Sequence, residues 1–376
     1  MSLSDTPSAP TAGTPAKRRR WLIALPAVAL VLAAAGWSVA WFYAAGRAQT
    51  EIDAWIAREA TEGRNWSCAN RELGGFPFRF ELICAEPTVS FTGAGQWSAR
   101  MARAHAVAQV WNPSHIIAEF QGPARLSEAA SGRELVGNWS LLQVSGVGRE
   151  GRAERLSVAA NDYSLAEGGT TLFSARHAEL HVRHHPGEAA GTLDIAAGFK
   201  GATGIAPGTP VRASMSNAPG TKPAVTAAVT PAAAPAAPTV DAEFEATVTG
   251  VPPFRSMPPA QRLALWQMAG GRVKLLQAEV NGGGGALSAS GDLGLDALRR
   301  PDGKLDLSLV KAQQLFTALA SAGLMPDFMA NLAPAMMMAG LPANVDGAKA
   351  STFPFVFRDG RVALGILPLG KIGPLF

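Results

Sequence analysis

Gly74-Gly75-Phe76-Pro77-Phe78-Arg79-Phe80-Glu81-Leu82-Ile83-Cys84 turns from a chain reversal into a strand within a few residues. The paired glycines permit the reversal, and Pro77, with no N–H to give to a ladder, belongs at a strand's start or on a sheet edge. Beyond it Phe78, Phe80, Leu82 and Cys84 share one side of an extended chain, and Arg79 and Glu81 share the other. A period of two with one side apolar predicts a sheet that buries or binds along one face.

The same signature recurs outward from this stretch. Alternating or β-rich runs occupy Met101 to Trp111, Ile116 to Phe120, Asn138 to Val147, Glu154 to Ala160, Thr171 to Val182 and Gly191 to Ile195, separated by Gly, Pro, Asn and Ser clusters. They resume at Asp241 to Val248, Arg272 to Val280, Ala286 to Leu295 and Lys304 to Val310, where Leu305, Leu307 and Leu309 alternate cleanly. The chain closes with Phe353 to Phe357 and Arg361 to Ile366 about the turn Arg358-Asp359-Gly360. Short strands joined by turns predict an antiparallel meander rather than βαβ units. Helical spacing predicts short helices at Pro258 to Met268, Gln313 to Leu324 and Asp327 to Ala339. The echo between Phe76-Pro77-Phe78 and Phe353-Pro354-Phe355 suggests two related β halves.

Ahead of the strands, Trp21 to Ala45 contains no charged residue. At about 1.5 Å per residue this run extends about 37 Å, enough to cross a hydrocarbon core of about 30 Å. Aromatic residues stand at both ends, Trp21 at one and Trp41, Phe42 and Tyr43 at the other, as in interfacial belts. Lys17, Arg18, Arg19 and Arg20 precede the run, while Arg47, Glu51, Asp53, Arg58, Glu59 and Glu62 follow it. The positive-inside rule therefore places the N-terminus in the cytoplasm and the bulk of the chain outside it. The competing reading is a cleaved signal peptide, for which Ser38-Val39-Ala40 offers a small-residue site. The length of the run and the bulky Trp41-Phe42-Tyr43 favour retention as an anchor.

The expected organisation is a disordered cytoplasmic tail at 1–20, a transmembrane helix at 21–45, an amphipathic stalk at 46–64, a first β-rich half at 65–205, a disordered Ala/Pro/Thr-rich insertion at 206–240, and a second β-rich half with helices at 241–376. The fold class is α+β, mainly antiparallel β behind one N-terminal helix. Composition narrows the partners. The formal charge of +4 vanishes when the four cations at 17–20 are set aside, so the basic character flanks the apolar run and excludes a nucleic-acid face. Charged residues make up 16%, below the roughly 25% of ordinary soluble domains, which predicts a bland surface.

Few residues suggest chemistry. Cys68 and Cys84 are the only cysteines, both on the exported side, where an oxidising compartment would pair them as a staple. They lack the Cys-x-x-Cys spacing of a redox pair. His177, His181, His184 and His185 form the one histidine cluster. On a strand, His177, His181 and His185 would span about 13 Å, too far for three ligands to one ion. No nucleophile elbow, phosphate-binding loop or dinucleotide fingerprint occurs, and Gly282 to Gly285 lies between strands. The expectation is no enzyme, no metal and no cofactor. The methionine-rich run containing Met329, Met336, Met337 and Met338 suits either an irregular core or an adaptable apolar surface.

Gly74 to Arg79 after an N-terminal membrane helix resembles an uncharacterised family of Gram-negative envelope proteins, a domain of unknown function. The ending, Asp359-Gly360-Arg361-Val362-Ala363-Leu364-Gly365 to Pro368, resembles the closing β-repeat of AsmA-like proteins. That second resemblance implies an inner-membrane-anchored β structure whose apolar groove handles lipid in the periplasm. The leading expectation is thus a single-pass bacterial inner-membrane protein, largely periplasmic, that binds lipid or assists outer-envelope assembly. A candidate apolar groove would be lined by Phe78, Phe80, Leu305, Leu307 and Met336. The alternatives are a scaffold with a sealed core that binds other envelope proteins, and, third, a hydrolase with an unrecognised site.

Overall fold

The computed structural model describes residues 21–92, 96–149, 152–187, 191–204, 238–253, 257–345 and 347–376. The expected tail at 1–20, with Lys17, Arg18, Arg19 and Arg20, lies outside these residues, as does 206–237 of the expected insertion.

The chain begins with α1 (Trp21–Thr61), one uninterrupted helix through the apolar run and the charged stretch after it. It has the length and apolarity of a membrane span, a property that signal sequences share. Strands β1 (Arg64–Ser67), β2 (Asn70–Gly74), β3 (Arg79–Ala85), β4 (Thr88–Phe91), β5 (Trp97–Arg100) and β6 (Arg103–Gln109) follow. Next come β7 (Asn112–Gln121), β8 (Ala124–Glu128), β9 (Glu134–Asn138), β10 (Leu141–Arg149) and the long strands β11 (Arg152–Glu167), β12 (Thr170–His184) and β13 (Leu193–Gly204). The remainder is β14 (Val240–Val248), α2 (Pro259–Met268), β15 (Arg272–Gly282), β16 (Gly285–Leu295), β17 (Pro301–Val310), α3 (Ala312–Ser321), α4 (Asp327–Ala330), α5 (Ala333–Ala339), β18 (Leu341–Val345), β19 (Ala348–Arg358), β20 (Arg361–Leu364) and β21 (Leu367–Lys371).

The described strands make one antiparallel sheet that divides at both ends. β11 pairs with β10 along Arg152 to Asn161 and with β9 along Ser164 to Glu167. One arm then continues through β7, β6, β3 and β2, and the other through β8, β5, β4 and β1. The arms are two ends of the same lines of chain, bent in the middle. At the bend Glu86 N donates to Ala102 O (3.0 Å), Ala102 N to Gln121 O (3.2 Å) and Ser140 N to Asn161 O (2.9 Å). Pro87 and Pro123 lie on this crease, where a missing N–H ends a ladder and the strand must turn away. The run read as one strand from Asn138 to Val147 therefore divides at Trp139, whose Nε1–H donates to Phe120 O (2.7 Å).

From β11 the sheet proceeds through β12, β13, β14, β15, β16, β17 and β19 without a break. β13 pairs with β14 from Leu193↔Val248 to Ala202↔Val240, so the segment between them does not divide the sheet, and Val240 belongs to β14 rather than to the insertion. The far edge of β19 is shared by β18 and β20. Pro354 falls between their pairings; its carbonyl accepts from Gly365 N (2.7 Å), so its nitrogen faces the gap where the ladder needs no donor. The two Phe-Pro-Phe segments thus differ: 76–78 is a turn and 353–355 a strand interior.

Turn chemistry matches the sequence. Asp359 and Gly360 both have positive φ between Arg358 and Arg361, as do Gly283 and Gly284 between Gly282 and Gly285, the backbone of a two-residue hairpin turn. The Gly282 to Gly285 tract has a second role. A Cβ at Gly285 would stand 2.6 Å from Leu315 N and from Lys311 O, so glycine lets α3 rest directly on the hairpin. The expected helix from Asp327 to Ala339 is two helices, because Pro334 suits the first turn of a new helix and would break the interior of an old one.

Candidate functional site

Residues opposite each other in an antiparallel ladder share a face. Following the register from Leu82 passes through Ala106, Ala118, Val144, Val158, Leu180, Ala197, Phe244, Ala278, Ala289 and Leu307 to Phe353. A parallel row runs from Phe80 through Ile116, Leu156, Val182 and Ile195 to Leu305 and Phe355. Neither row contains a charged residue. The twelve strands crossed, from β3 to β19, extend about 50 Å at about 4.8 Å per strand.

Among the described residues this face is covered at its ends and open between them. At the β19 end Leu309, Ala312, Leu315, Phe316, Ala333 and Phe353 form a buried core, with α3 to α5 folded over β15, β16, β17 and β19. At the β3 end α1 reaches the sheet: Trp41, 4% exposed, stacks on Phe80 with ring centroids 5.7 Å apart. Between the two, Ile116 (47%), Leu156 (41%), Leu180 (36%) and Phe244 (37%) remain accessible to solvent.

The five expected groove residues are distributed along this arrangement. Phe80, Leu305 and Leu307 share the face but stand at opposite ends of it, Phe80 beside α1 and Leu307 against the helix-covered core. Phe78 lies at the β2–β3 turn and is 60% exposed. Met336, on α5, packs onto the core as part of its cover. The open centre, with Ile116, Leu156, Leu180 and Phe244, was absent from that expectation. Its alternation is present in the sequence, but only register joins these residues into one surface.

The opposite face holds His177 and His181, with His185 just past the strand's end, whereas His184, two residues from Val182, closes β12 on the apolar side. His177 Nδ1 meets Asn161 Oδ1 (2.7 Å), His181 Nδ1 meets Ser157 Oγ (3.0 Å) and His181 Nε2 meets Glu179 Oε2 (3.3 Å). His185 Nδ1 meets Asp194 Oδ1 (2.8 Å), which also accepts from Thr247 Oγ1 (3.0 Å), while Asp194 Oδ2 accepts from Arg183 (3.1 Å). An open depression of about 620 Å³ lies over His181, Arg183, His185, Asp194 and Thr247. The His181 bond holds the Glu179 carboxyl below its ordinary value, against the effect of burial and with help from His177. Burial alone would raise Asp194, but its bonds from His185, Thr247 and Arg183 outweigh that and hold it low.

Ser157, His181 and Glu179 have the connectivity of a nucleophile, base and acid. β11 is paired on both edges there, Ser157 lying opposite Ser145 on one side and His181 on the other. The ladders consume the backbone N–H groups that would have to face an oxyanion. The histidines are spread over separate partners, and among the described residues no group of three or more His, Cys, Asp or Glu is placed to hold a metal ion.

Cys68, in the link between β1 and β2, is joined to Cys84 of β3 in a disulfide with Cα atoms 5.5 Å apart. It pins the crease at the outer edge of the sheet, where the two arms end in β1 and β2.

Residues 41–373 match the family described as "Uncharacterized protein conserved in bacteria (DUF2125)". The chain belongs to that family. The matched range contains the whole sheet, the disulfide, the Gly74 to Arg79 segment and the part of α1 from Trp41 onward. No curated protein and no solved structure matches the chain.

Proposed function

We propose that this member of the bacterial family is a single-pass inner-membrane protein whose periplasmic sheet binds lipid along its apolar face, without covalent chemistry. The observation that carries this reading is the uncharged, register-continuous face that starts beside the anchor helix at Phe80 and stays open from Ile116 to Phe244. A contiguous exposed apolar surface of this kind is uncommon on a protein that has no apolar partner. Ala interspersed with Leu, Val, Ile and Phe keeps it apolar throughout, the chemistry that acyl chains match. The resemblance of Asp359 to Pro368 to the AsmA-like closing repeat points the same way. A face of about 50 Å is too short to span an envelope alone, so lipid carried on it would be received from or handed to another component.

The test is extraction of the full chain in mild detergent and mass spectrometry of what remains bound. Phospholipid should co-purify, and Leu180→Glu with Phe244→Glu should lose it while the thermal transition stays near that of the parent. A parent chain free of lipid, or charged variants that retain it, would sink the reading. A stoichiometric envelope protein in its place would favour the scaffold alternative.

A further inference from the structure

The β2–β3 turn is fastened to α1 well inside the apolar run. Trp37 Nε1–H donates to Pro77 O (2.9 Å) and Trp41 Nε1–H to Arg79 O (3.2 Å). Phe76 is held between Trp41 and Phe42, at ring-centroid distances of 5.5 and 5.7 Å. If the hydrocarbon core begins at Trp21, its thickness of about 30 Å is used up about 20 residues later, at Trp41. The turn that Trp37 and Trp41 hold therefore sits at the depth of the bilayer surface and not in free solution.

Two exposed aromatic residues stand at the same place. Phe78 (60% exposed) and Trp111 (65%) face each other at 6.4 Å, and Val110 N donates to Phe78 O (3.1 Å), tying the β6–β7 turn to the β2–β3 turn. No charged residue occurs from Gly74 to Phe78 or from Val110 to Ser114. The first charges beyond are Arg79, ion-paired with Glu81. Apolar tips followed by a charged pair are the order in which a bilayer surface presents acyl chains and then headgroups, and Trp is enriched at that boundary.

We propose that the β2–β3 and β6–β7 turns insert Phe76, Phe78 and Trp111 into the surface of the same bilayer that α1 crosses. Phe80, which begins one row of the apolar face, is two residues from Phe78 and stacked on Trp41. Insertion therefore sets the mouth of that face against the membrane, where an acyl chain can pass from bilayer to sheet without crossing water. The inference rests on the anchoring part of the proposed function but not on its lipid-binding part.

The experiment uses the full chain in nanodiscs of phosphatidylethanolamine and phosphatidylglycerol, open to solvent on both faces. Spin labels are placed singly by Phe78→Cys and Trp111→Cys, with Val39→Cys as a control inside the span and Glu243→Cys as a control on the charged face. Collision with molecular oxygen and with a water-soluble nickel chelate is read at each. Labels at 78 and 111 should lose collision with the chelate and keep it with oxygen, as the label at 39 does and the label at 243 does not. If 39 is protected while 78 and 111 meet the chelate, α1 is anchored and the insertion is wrong. Loss of both reagents at 78 and 111 means a protein covers the tips, most simply a second copy, and also overturns the proposal. Chelate collision at 39 removes the anchoring and the insertion together.

Discussion

Leu307 and Leu180 occupy the same row of one sheet, five strand positions apart, yet Leu307 lies against a buried core and Leu180 is 36% exposed. The strands that carry them have the same alternation and the same absence of charge on that face. What separates them is cover. The connection between β17 and β18 folds back as α3 to α5 and buries Leu309 and Leu315 completely, whereas the strands from β7 to β14 keep their apolar row accessible. Identical strand chemistry thus serves as core in one region and as surface in the other.

The sharpest way to break this comparison is Leu315→Ala. Leu315 is fully buried, so its truncation should cost about 2–5 kcal/mol, the range for a large core side chain reduced to alanine. Chemical unfolding followed by tryptophan fluorescence would measure it, and a near-neutral outcome would mean that the helices do not seal this end. Removing the staple with Cys68→Ser and Cys84→Ser together should cost about 3 kcal/mol in the chain-entropy model. That loss should fall on the creased end of the sheet and leave protection of the α3 amides against hydrogen exchange unchanged. Leu180→Ala should cost below about 1 kcal/mol, as for a surface substitution; a loss equal to that of Leu315→Ala would show the centre to be covered too.

The smallest effect lies on the opposite face. Glu179 and Asp194 are both more acidic in the folded chain than in the unfolded one. Their stabilisation is complete above about pH 5 and is lost as pH falls through the folded values. Asp194→Asn should therefore lower the urea midpoint at neutral pH slightly and flatten its decline in acid. An unchanged acid limb would remove Asp194 from the account.

Much of the architecture is legible in local chemistry. Leu305, Leu307 and Leu309 announce β17, Asp359-Gly360 announces the β19–β20 hairpin, and Trp21 to Ala45 announces the helix. The crease is not legible: a proline such as Pro87 or Pro123 can end a strand as well as bend one, and only the paired carbonyls at 102, 121 and 161 show that the chain continues across them. Pro334 was visible, but its power to start α5 rather than interrupt one long helix depends on how the chain turns at Asn331 and Leu332. Of the groove residues, alternation finds Phe80, Leu305 and Leu307; it extends also to Phe78, which the turn before β3 removes from the strand, and Met336 lies on a helix whose placement only the tertiary structure gives.

Sequence alone determined the period-two strands, the long apolar helix, the turn types and the cysteine pair, because each depends on residues close along the chain. Tertiary structure alone decided that β13 joins β14, that one uncharged row crosses twelve strands, and that the described helices cover its ends and not its centre. Side-chain direction follows from backbone geometry within a few residues, but register and cover are set by contacts between segments tens to hundreds of residues apart, and no local pattern encodes which apolar face another element will reach.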